Sequence, residues 1–314
     1  MSAPAPTARY LVVNADDFGL SVGVNAGIIG AFRRGLVRSA SLLVTTPGFD
    51  DALILARAYP DLDLGIHLAL TGVRPALPPE RIPSLVGHDG RFPSLVAWQW
   101  RVAARRLRPA EVQAELRAQV ARARRSGLTF THLDGHHHIH LFWPASVIVA
   151  DLARELGGEP GGGLGGESRD QSRDQSRGLI VRRVQEAPCE AHNAAPAPAP
   201  APFSVGEALK RGWLGGADRR WGTAFATLPR TDAFRGVAFP TSLARWRELA
   251  RSLPIGVSEL MCHPGLHDAT VRGLDPYVAG REAELRWLCD PRVAALLRDE
   301  GVTTTSFRQL LATG

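Results

Sequence analysis

Apolar runs of strand character alternate with helical patterns along this chain, and that rhythm restricts the fold to a parallel sheet or a (β/α) barrel. Tyr10 to Asn14 (YLVVN) reads as a strand. Val24 to Arg34 follows as a helix, with Ser21 as its N-cap and Gly35 as its stop. Ser41 to Thr46 is a second strand, Phe49 to Tyr59 a helix ending before Pro60, and Leu62 to Leu70 a third strand. Pro109 to Ser126 is a long helix closed by Gly127, followed by a strand over Thr129 to Asp134 and a helix over Pro144 to Leu156. Further on, Leu179 to Glu186 reads as a strand, Leu243 to Leu253 as a helix and Gly256 to Cys262 as a strand. Arg281 to Cys289 and Pro291 to Asp299 are helices, and Val302 to Phe307 is a last strand with a closing helical turn.

At 314 residues the chain could form one large barrel or two smaller domains. Two stretches break the rhythm. Residues 157–178 are rich in Gly and carry an SRDQ repeat, and residues 190–202 contain an Ala-Pro string. Neither can bury enough apolar surface to offset its ordering entropy. They read as flexible insertions within a single catalytic domain spanning residues 8–314.

The densest chemistry lies in FTHLDGHHHIH, where His132, Asp134, His136, His138 and His140 share one parity. In an extended chain alternate residues share a face, so this segment would aim four imidazoles and a carboxylate the same way. A core strand would place apolar groups there. Fully extended, His132 and His140 would lie about 26 Å apart, so one ion takes one or two ligands from this segment. Gly135 and the strand character of Leu128 to Thr131 favour a strand followed by a loop over a helix.

The other ligands must come from elsewhere, and position nominates them. Asp16 and Asp17 follow the first strand, His67 lies in the third, and His263 follows GVSELMC. Strand C-terminal ends gather at one mouth in this architecture, which is where active sites lie. Of the adjacent aspartates, one can bind a metal while the other stays free as a base. A two-His, one-carboxylate set leaves positions open on a metal, which can then acidify a bound water and polarise a carbonyl. His263 suits a general acid. His88, His192 and His267 read as surface residues, and Cys262 as a buried strand residue.

The motifs VNADDFGLS, GIHLALT, THLDGHHHIH and ELMCHPG resemble, in order and spacing, the YdjC-like carbohydrate deacetylases, a group that includes chitooligosaccharide deacetylases and hopanoid-associated relatives. The resemblance runs from about Tyr10 to the C-terminus apart from the insertions. It implies a deformed (β/α) TIM-like barrel and hydrolysis of the acetamide of an N-acetylated sugar by metal-bound water, with magnesium as the family's metal. It implies Asp17, His67 and His136 as metal ligands, Asp16 as general base and His263 as general acid. The family's arginine before an acidic-Pro turn falls at Arg182, although here Glu186 is followed by Ala187 rather than Pro. His132, Asp134, His138 and His140 remain as supporting or substrate-facing residues. Imidazole ligands suit zinc, whereas magnesium prefers oxygen, so the ligand chemistry and the resemblance point to different ions.

Two rival readings stay open: a metal-dependent phosphoesterase on a similar barrel, and a non-catalytic sugar- or metal-binding protein. The partner implied is an N-acetyl sugar, free or lipid-linked, and a homodimer is compatible with the sequence. A net charge of +6 invites a nucleic-acid reading. However, Lys210 is the only lysine among 37 basic residues, the arginines are dispersed, and aromatic residues are not interleaved with them as a single-strand binder requires. No apolar run reaches membrane-spanning length and MSAPAPTARY does not read as a secretory signal, so a cytoplasmic protein is expected. Three cysteines, Cys189, Cys262 and Cys289, argue against a disulfide framework.

Overall fold

Side chains divide by parity on the first strand, β1 (Arg9–Phe18), which is buried over its last eight residues. Leu11, Val13 and Ala15 join the main hydrophobic cluster together with Val24 and Ile28 of the following helix. Val12 belongs to a small separate cluster with Ile180 and Phe307, while Asn14 and Asp16 are buried and polar. Alternation across a strand thus gives β1 an apolar face under the helices and an inward face that turns polar toward its C-terminal end. An interior-facing aspartate needs a partner, so the location of the polar interior also locates the chemistry.

The structure, a computed structural model, describes residues 8–158, 179–184, 205–275 and 277–313. The remaining strands are β2 (Ser39–Leu42), β3 (Asp63–Leu68), β4 (His132–Gly135), β5 (Ile180–Val181), β6 (Ala233–Arg235), β7 (Gly256–Cys262) and β8 (Val302–Thr305). Their spatial order is β5-β4-β3-β2-β1-β7-β6, and every pairing is parallel. β8 pairs with the first part of β1, on Arg9 to Val12, and β2 takes over from Asn14. The described residues thus form a deformed (β/α) barrel.

The helices are α1 (Val22–Arg34), α2 (Phe49–Ala58), α3 (Leu95–Ala103), α4 (Pro109–Arg125), α5 (Ala145–Gly158), α6 (Val205–Trp221), α7 (Leu243–Ser252), α8 (Ala269–Leu274), α9 (Val278–Leu288), α10 (Pro291–Asp299) and α11 (Phe307–Thr313). Ser21 caps α1 by accepting the Val24 N–H at 3.2 Å, as its residue type suggests. Among the described residues no helix is long and apolar enough to cross a membrane.

Four readings of the sequence need correction, and the first is the second strand, expected over Ser41 to Thr46 and found at Ser39–Leu42. The fourth strand is not Thr129 to Asp134 but His132–Gly135; the chain joins the sheet only at Thr131, whose N–H bonds the Leu64 carbonyl of β3 and whose carbonyl accepts from Ile180 of β5. The strand expected over Leu179 to Glu186 shrinks to Ile180–Val181, and residues beyond 184 lie outside the described ones. The single parity of the His segment ends at Gly135. Residues His136–Leu141 wind into a 3-10 turn in which His137 and His138 take left-handed φ of 55° and 58°. Nearly all of both insertions, with Cys189 and His192, also falls outside the described residues.

Candidate active site

The ends of β1, β3, β4 and β7 and the turn after β4 bring the acidic and imidazole side chains to one mouth. At Asp17 the backbone turns left-handed, φ 68°, and the pairing between β1 and β2 shifts between Ala15 and Phe18. This break sends the adjacent carboxylates apart. Asp16 faces the barrel interior and Asp17 faces the His136 turn.

Asp17 Oδ1 accepts from His136 Nδ1 at 2.9 Å and lies 3.5 Å from His67 Nε2, while Oδ2 accepts from Arg281 at 2.5 Å. Burial alone would push the Asp17 carboxyl up. The Arg281 guanidinium and His136 outweigh it and hold the group well below its ordinary value. His67 is oriented from behind, since its Nδ1 lies 2.7 Å from Asp134 Oδ1. The carboxylate commits that nitrogen and leaves Nε2 facing Asp17. Burial works against a charge on His67, but Asp134 and Asp16 overcome it and raise the imidazole to about 10.

One arginine organises the interior below this cluster. Arg182, buried just beyond β5, holds Asp16 through two bonds of 2.6 Å, reaches Asp134 at 2.8 Å and donates from Nε to Glu259 at 2.7 Å. Two neutral residues close the ring. Asn14 Nδ2 donates to Asp16 at 2.9 Å and to Ser41 at 2.8 Å, and Ser41 donates to Asp134 at 2.7 Å. Such charge-assisted contacts are short and directional, and here they fix the aim of two carboxylates at once. Burial, reinforced by Asp134 and Asp16 against the pull of Arg182, raises Glu259 to about 7, and its second oxygen has no hydrogen-bond partner among the described residues.

His263 enters from the neighbouring strand. The register of β1 on β7 pairs Ala15 with Cys262, which sets His263 level with Asp16. Its side chain retains 26% exposure, so it reaches solvent where Asp16 does not. The turn His263-Pro264-Gly265 can lie against α1 because Gly27 has no side chain: a Cβ there would come within 2.4 Å of Gly265 Cα. Glu284 of α9 accepts the His263 backbone N–H at 2.5 Å and the Tyr277 hydroxyl at 2.7 Å.

The other histidines separate from this group. His132 is buried between Ser41, at 3.2 Å, and the Phe307 ring, whose centroid lies 4.3 Å away. Burial lowers its pKa. His138 lies edge-on to Phe234, and His140 Nε2 sits 3.1 Å from the Arg182 carbonyl. Burial pushes His140 down to about 4. These three support the site from within and do not reach Asp17. Cys262 is buried, as its sequence context suggests, and burial raises its thiol. A groove of about 320 Å³ between α1 and α2 carries none of the converging groups.

The cluster fits a divalent cation. Single donor atoms of Asp17, His67 and His136 lie within 4.8 Å of one another. His67 Nε2 is aimed by Asp134, and the negative field that keeps a proton on His67 equally favours a cation in its place. Asp16, His67 and Asp134 form a second group of this kind, but the Arg182 guanidinium already occupies both of its carboxylates.

Arg281, Glu259, Ser41, Asn14 and Glu284 were not singled out from the sequence as site residues. Arg281 comes from α9, far along the chain from Asp17, and carried no local signal. Asn14, Ser41 and Glu259 did carry one: each is a polar residue at the strand parity that faces inward.

A family model described as YdjC-like protein matches residues 10–299. The chain is 31% identical over 304 residues to a protein of Geobacillus stearothermophilus named carbohydrate deacetylase, with 96% of this chain and 98% of that protein covered. It is 32% identical over 305 residues to the chitooligosaccharide deacetylase of Serratia marcescens, covering 96% and 99%. Among solved structures, a proposed cellobiose-phosphate cleavage protein of Enterococcus faecalis V583 matches with a TM-score of 0.72 at 25% identity, covering 97% of this chain and 99% of that one.

Proposed function

Since this chain belongs to the YdjC-like family, we propose that it hydrolyses the acetamide of an N-acetylated sugar, releasing acetate and the amino sugar. One observation carries the reading. Asp17, His67 and His136, whose donor atoms converge closely enough to hold a cation, stand beside a carboxylate that is held separately, Asp16, and an imidazole that reaches solvent, His263. Relatives named carbohydrate deacetylase and chitooligosaccharide deacetylase, matched over nearly their whole lengths, support the substrate class.

A divalent cation held by Asp17, His67 and His136 would supply Lewis-acid polarisation of the acetyl carbonyl and acidify water beside it. Two imidazoles and a carboxylate suit zinc better than magnesium. The chain's own groups then move the protons. Asp16 takes a proton from the attacking water as the water oxygen bonds to the acetyl carbon. When the carbon–nitrogen bond breaks, His263 gives a proton to the departing nitrogen, so the amine leaves neutral. Arg182 occupies one lone pair on each Asp16 oxygen and Asn14 a second on Oδ1, which leaves Oδ2 for that task. The clamp therefore fixes the aim of the base without exhausting it.

A phosphoesterase on this barrel would want a second metal. The only other donor group among the described residues shares His67 with the first and is filled by the Arg182 guanidinium, so the geometry favours the deacetylase.

The test is acetate release from a panel of N-acetyl sugars, run beside phosphate release from sugar phosphates. Asp16→Asn should retain the metal and lose about two orders of magnitude in kcat, a usual general-base contribution. Full activity in that variant would remove Asp16 from the reaction. Absence of acetate from every sugar would overturn the assignment, and turnover of neither class would favour a binding protein.

A further inference from the structure

A buried carboxylate stands behind the candidate acid. Glu284 is 3% exposed and lies on α9, whose backbone meets the turn after His263 through a Gly265 N–H to Arg281 carbonyl bond of 3.3 Å. A glutamate is rarely buried so completely without a task or a full set of partners. Its Oε2 accepts the His263 backbone N–H at 2.5 Å. Its Oε1 accepts the Tyr277 hydroxyl at 2.7 Å and lies 3.9 Å from His263 Nδ1. The Tyr277 ring stands edge-on to the imidazole with centroids 5.8 Å apart, so ring, carboxylate and imidazole form one packed unit. The carboxylate thus grips both the backbone of His263 and the space behind its ring.

We propose that Glu284, anchored by Tyr277, is the positioning residue of His263, its carboxylate keeping the proton on Nδ1 so that Nε2 is the nitrogen that donates. This rests on the reading of His263 as general acid given above.

The chemistry follows from the imidazole's two nitrogens. An acid that donates from Nε2 must end as the Nδ1–H tautomer, and a carboxylate facing Nδ1 stabilises both that product and the imidazolium before it. The separation of 3.9 Å is an ion-pair distance rather than a hydrogen bond. Catalytic contacts of this kind commonly lengthen without substrate and tighten in the complex. The proton balance is closed: Nε2–H goes to the amine nitrogen as its bond to the acetyl carbon breaks, and the imidazole is left neutral with its proton on Nδ1.

A purely structural role, in which Glu284 only accepts the His263 backbone N–H, makes a different forecast. Glu284→Gln keeps an oxygen for that N–H but removes the charge facing Nδ1. Two measurements on the full chain separate the roles. In the first, nitrogen-15 spectra of labelled imidazoles, with the His263 signal assigned by His263→Gln, should show Nδ1–H in the parent and a shift toward Nε2–H in E284Q. In the second, acetate release from an N-acetylated amino sugar is compared with hydrolysis of 4-nitrophenyl acetate, whose phenolate leaves without a proton. E284Q should lose about tenfold or more in kcat on the amide relative to the ester, the low end of a general-acid contribution.

An unchanged tautomer, or amide and ester activities falling together, would overturn the proposal. A parent that releases acetate from no amide would overturn the deacetylase reading instead, and the tautomer measurement would still decide the Glu284 contact. If E284Q does not fold, Tyr277→Phe at its half-exposed position removes one anchor of the carboxylate and should move both readouts the same way by less. No movement in either would count against the proposal.

Discussion

Replacing Arg182 by methionine should destabilise the protein by an amount that depends strongly on pH. The side chain is buried and its guanidinium faces three carboxylates, Asp16, Asp134 and Glu259, at 2.6 to 2.8 Å. Methionine replaces its aliphatic stem but leaves those groups without a cation. Removing one partner of a buried ion pair costs about 3–5 kcal/mol, because the remaining charge stays desolvated. The three acids do not contribute equally. Glu259 is already raised to about 7 with the arginine present, so it takes up a proton readily and offsets part of the loss. Asp134 is held well below its ordinary value, against the push of burial, chiefly by Arg182 and then by His67. It therefore has the most to lose, and Asp16 loses both guanidinium bonds.

The sign follows from proton counting. Without the arginine, burial is left to push Glu259 and Asp134 up, and the folded state then binds more protons at these two groups than the unfolded chain does. Stability must then fall as pH rises, by up to about 1.4 kcal/mol per unit for each carboxyl still taking up its proton. The expected loss is therefore about 4 kcal/mol at pH 8 and roughly half that near pH 5.5. That is a large share of the 5–15 kcal/mol typical of a domain. Urea unfolding followed by circular dichroism at both pH values, on metal-free parent and variant, measures it. A loss below about 1 kcal/mol at pH 8, or one independent of pH, would refute the reasoning from buried charge.

Asp134→Asn should weaken metal binding by about tenfold or more, since it loosens the contact that aims His67 Nε2; an unchanged affinity by calorimetric titration would remove Asp134 from that role. His140, neutral in the fold and pushed down to about 4 by burial, contributes stability that is present above its ordinary 6.5 and lost as pH falls toward 4. The loss is at most about 3 kcal/mol, and His140→Gln should flatten that part of the stability–pH curve in urea titrations. Gly65→Ala would set a Cβ 2.2 Å from His132 Nε2, a ring already wedged against Phe307 and Ser41. It should cost about 1–3 kcal/mol of unfolding free energy, so a variant as stable as the parent would show that the ring can move.

The long, strongly patterned elements were legible from the residues alone. α1 with its Ser21 cap, α4 beginning at Pro109, and β7 and α10, matched end to end, each combine a clear period with a start or stop residue. α3, α8 and β6 passed unnoticed for physical reasons. β6 is three residues long, and a period of two cannot be recognised over Ala233–Arg235. α3 carries Trp98 on its buried side and leaves Trp100 exposed, so its composition does not separate inside from outside. Helix α6 starts just beyond the Ala-Pro string, where its Gly-rich sequence offers little helix propensity.

The site was legible to the extent that its groups lie at strand ends, and obscure where it depends on backbone hand. The parity argument correctly set His132 and Asp134 on one face, because both reach Ser41 across the sheet. It failed one residue past Gly135, since φ of 55° and 58° at His137 and His138 reverses the chain. L-residues enter that region only when their surroundings hold them there, which no local pattern encodes. Here the surroundings are named. Asp17 holds His136, Thr71 stands 2.9 Å from His137 Nδ1, and Phe234 lies edge-on to His138. Asp17 shares the same unusual hand at φ 68°. Two left-handed turns therefore face each other across the mouth, and His136 of one donates to Asp17 of the other. Strain of this kind persists when something repays it, and in this barrel the repayment is the close approach of Asp17 and His136, on which the cation-binding reading depends.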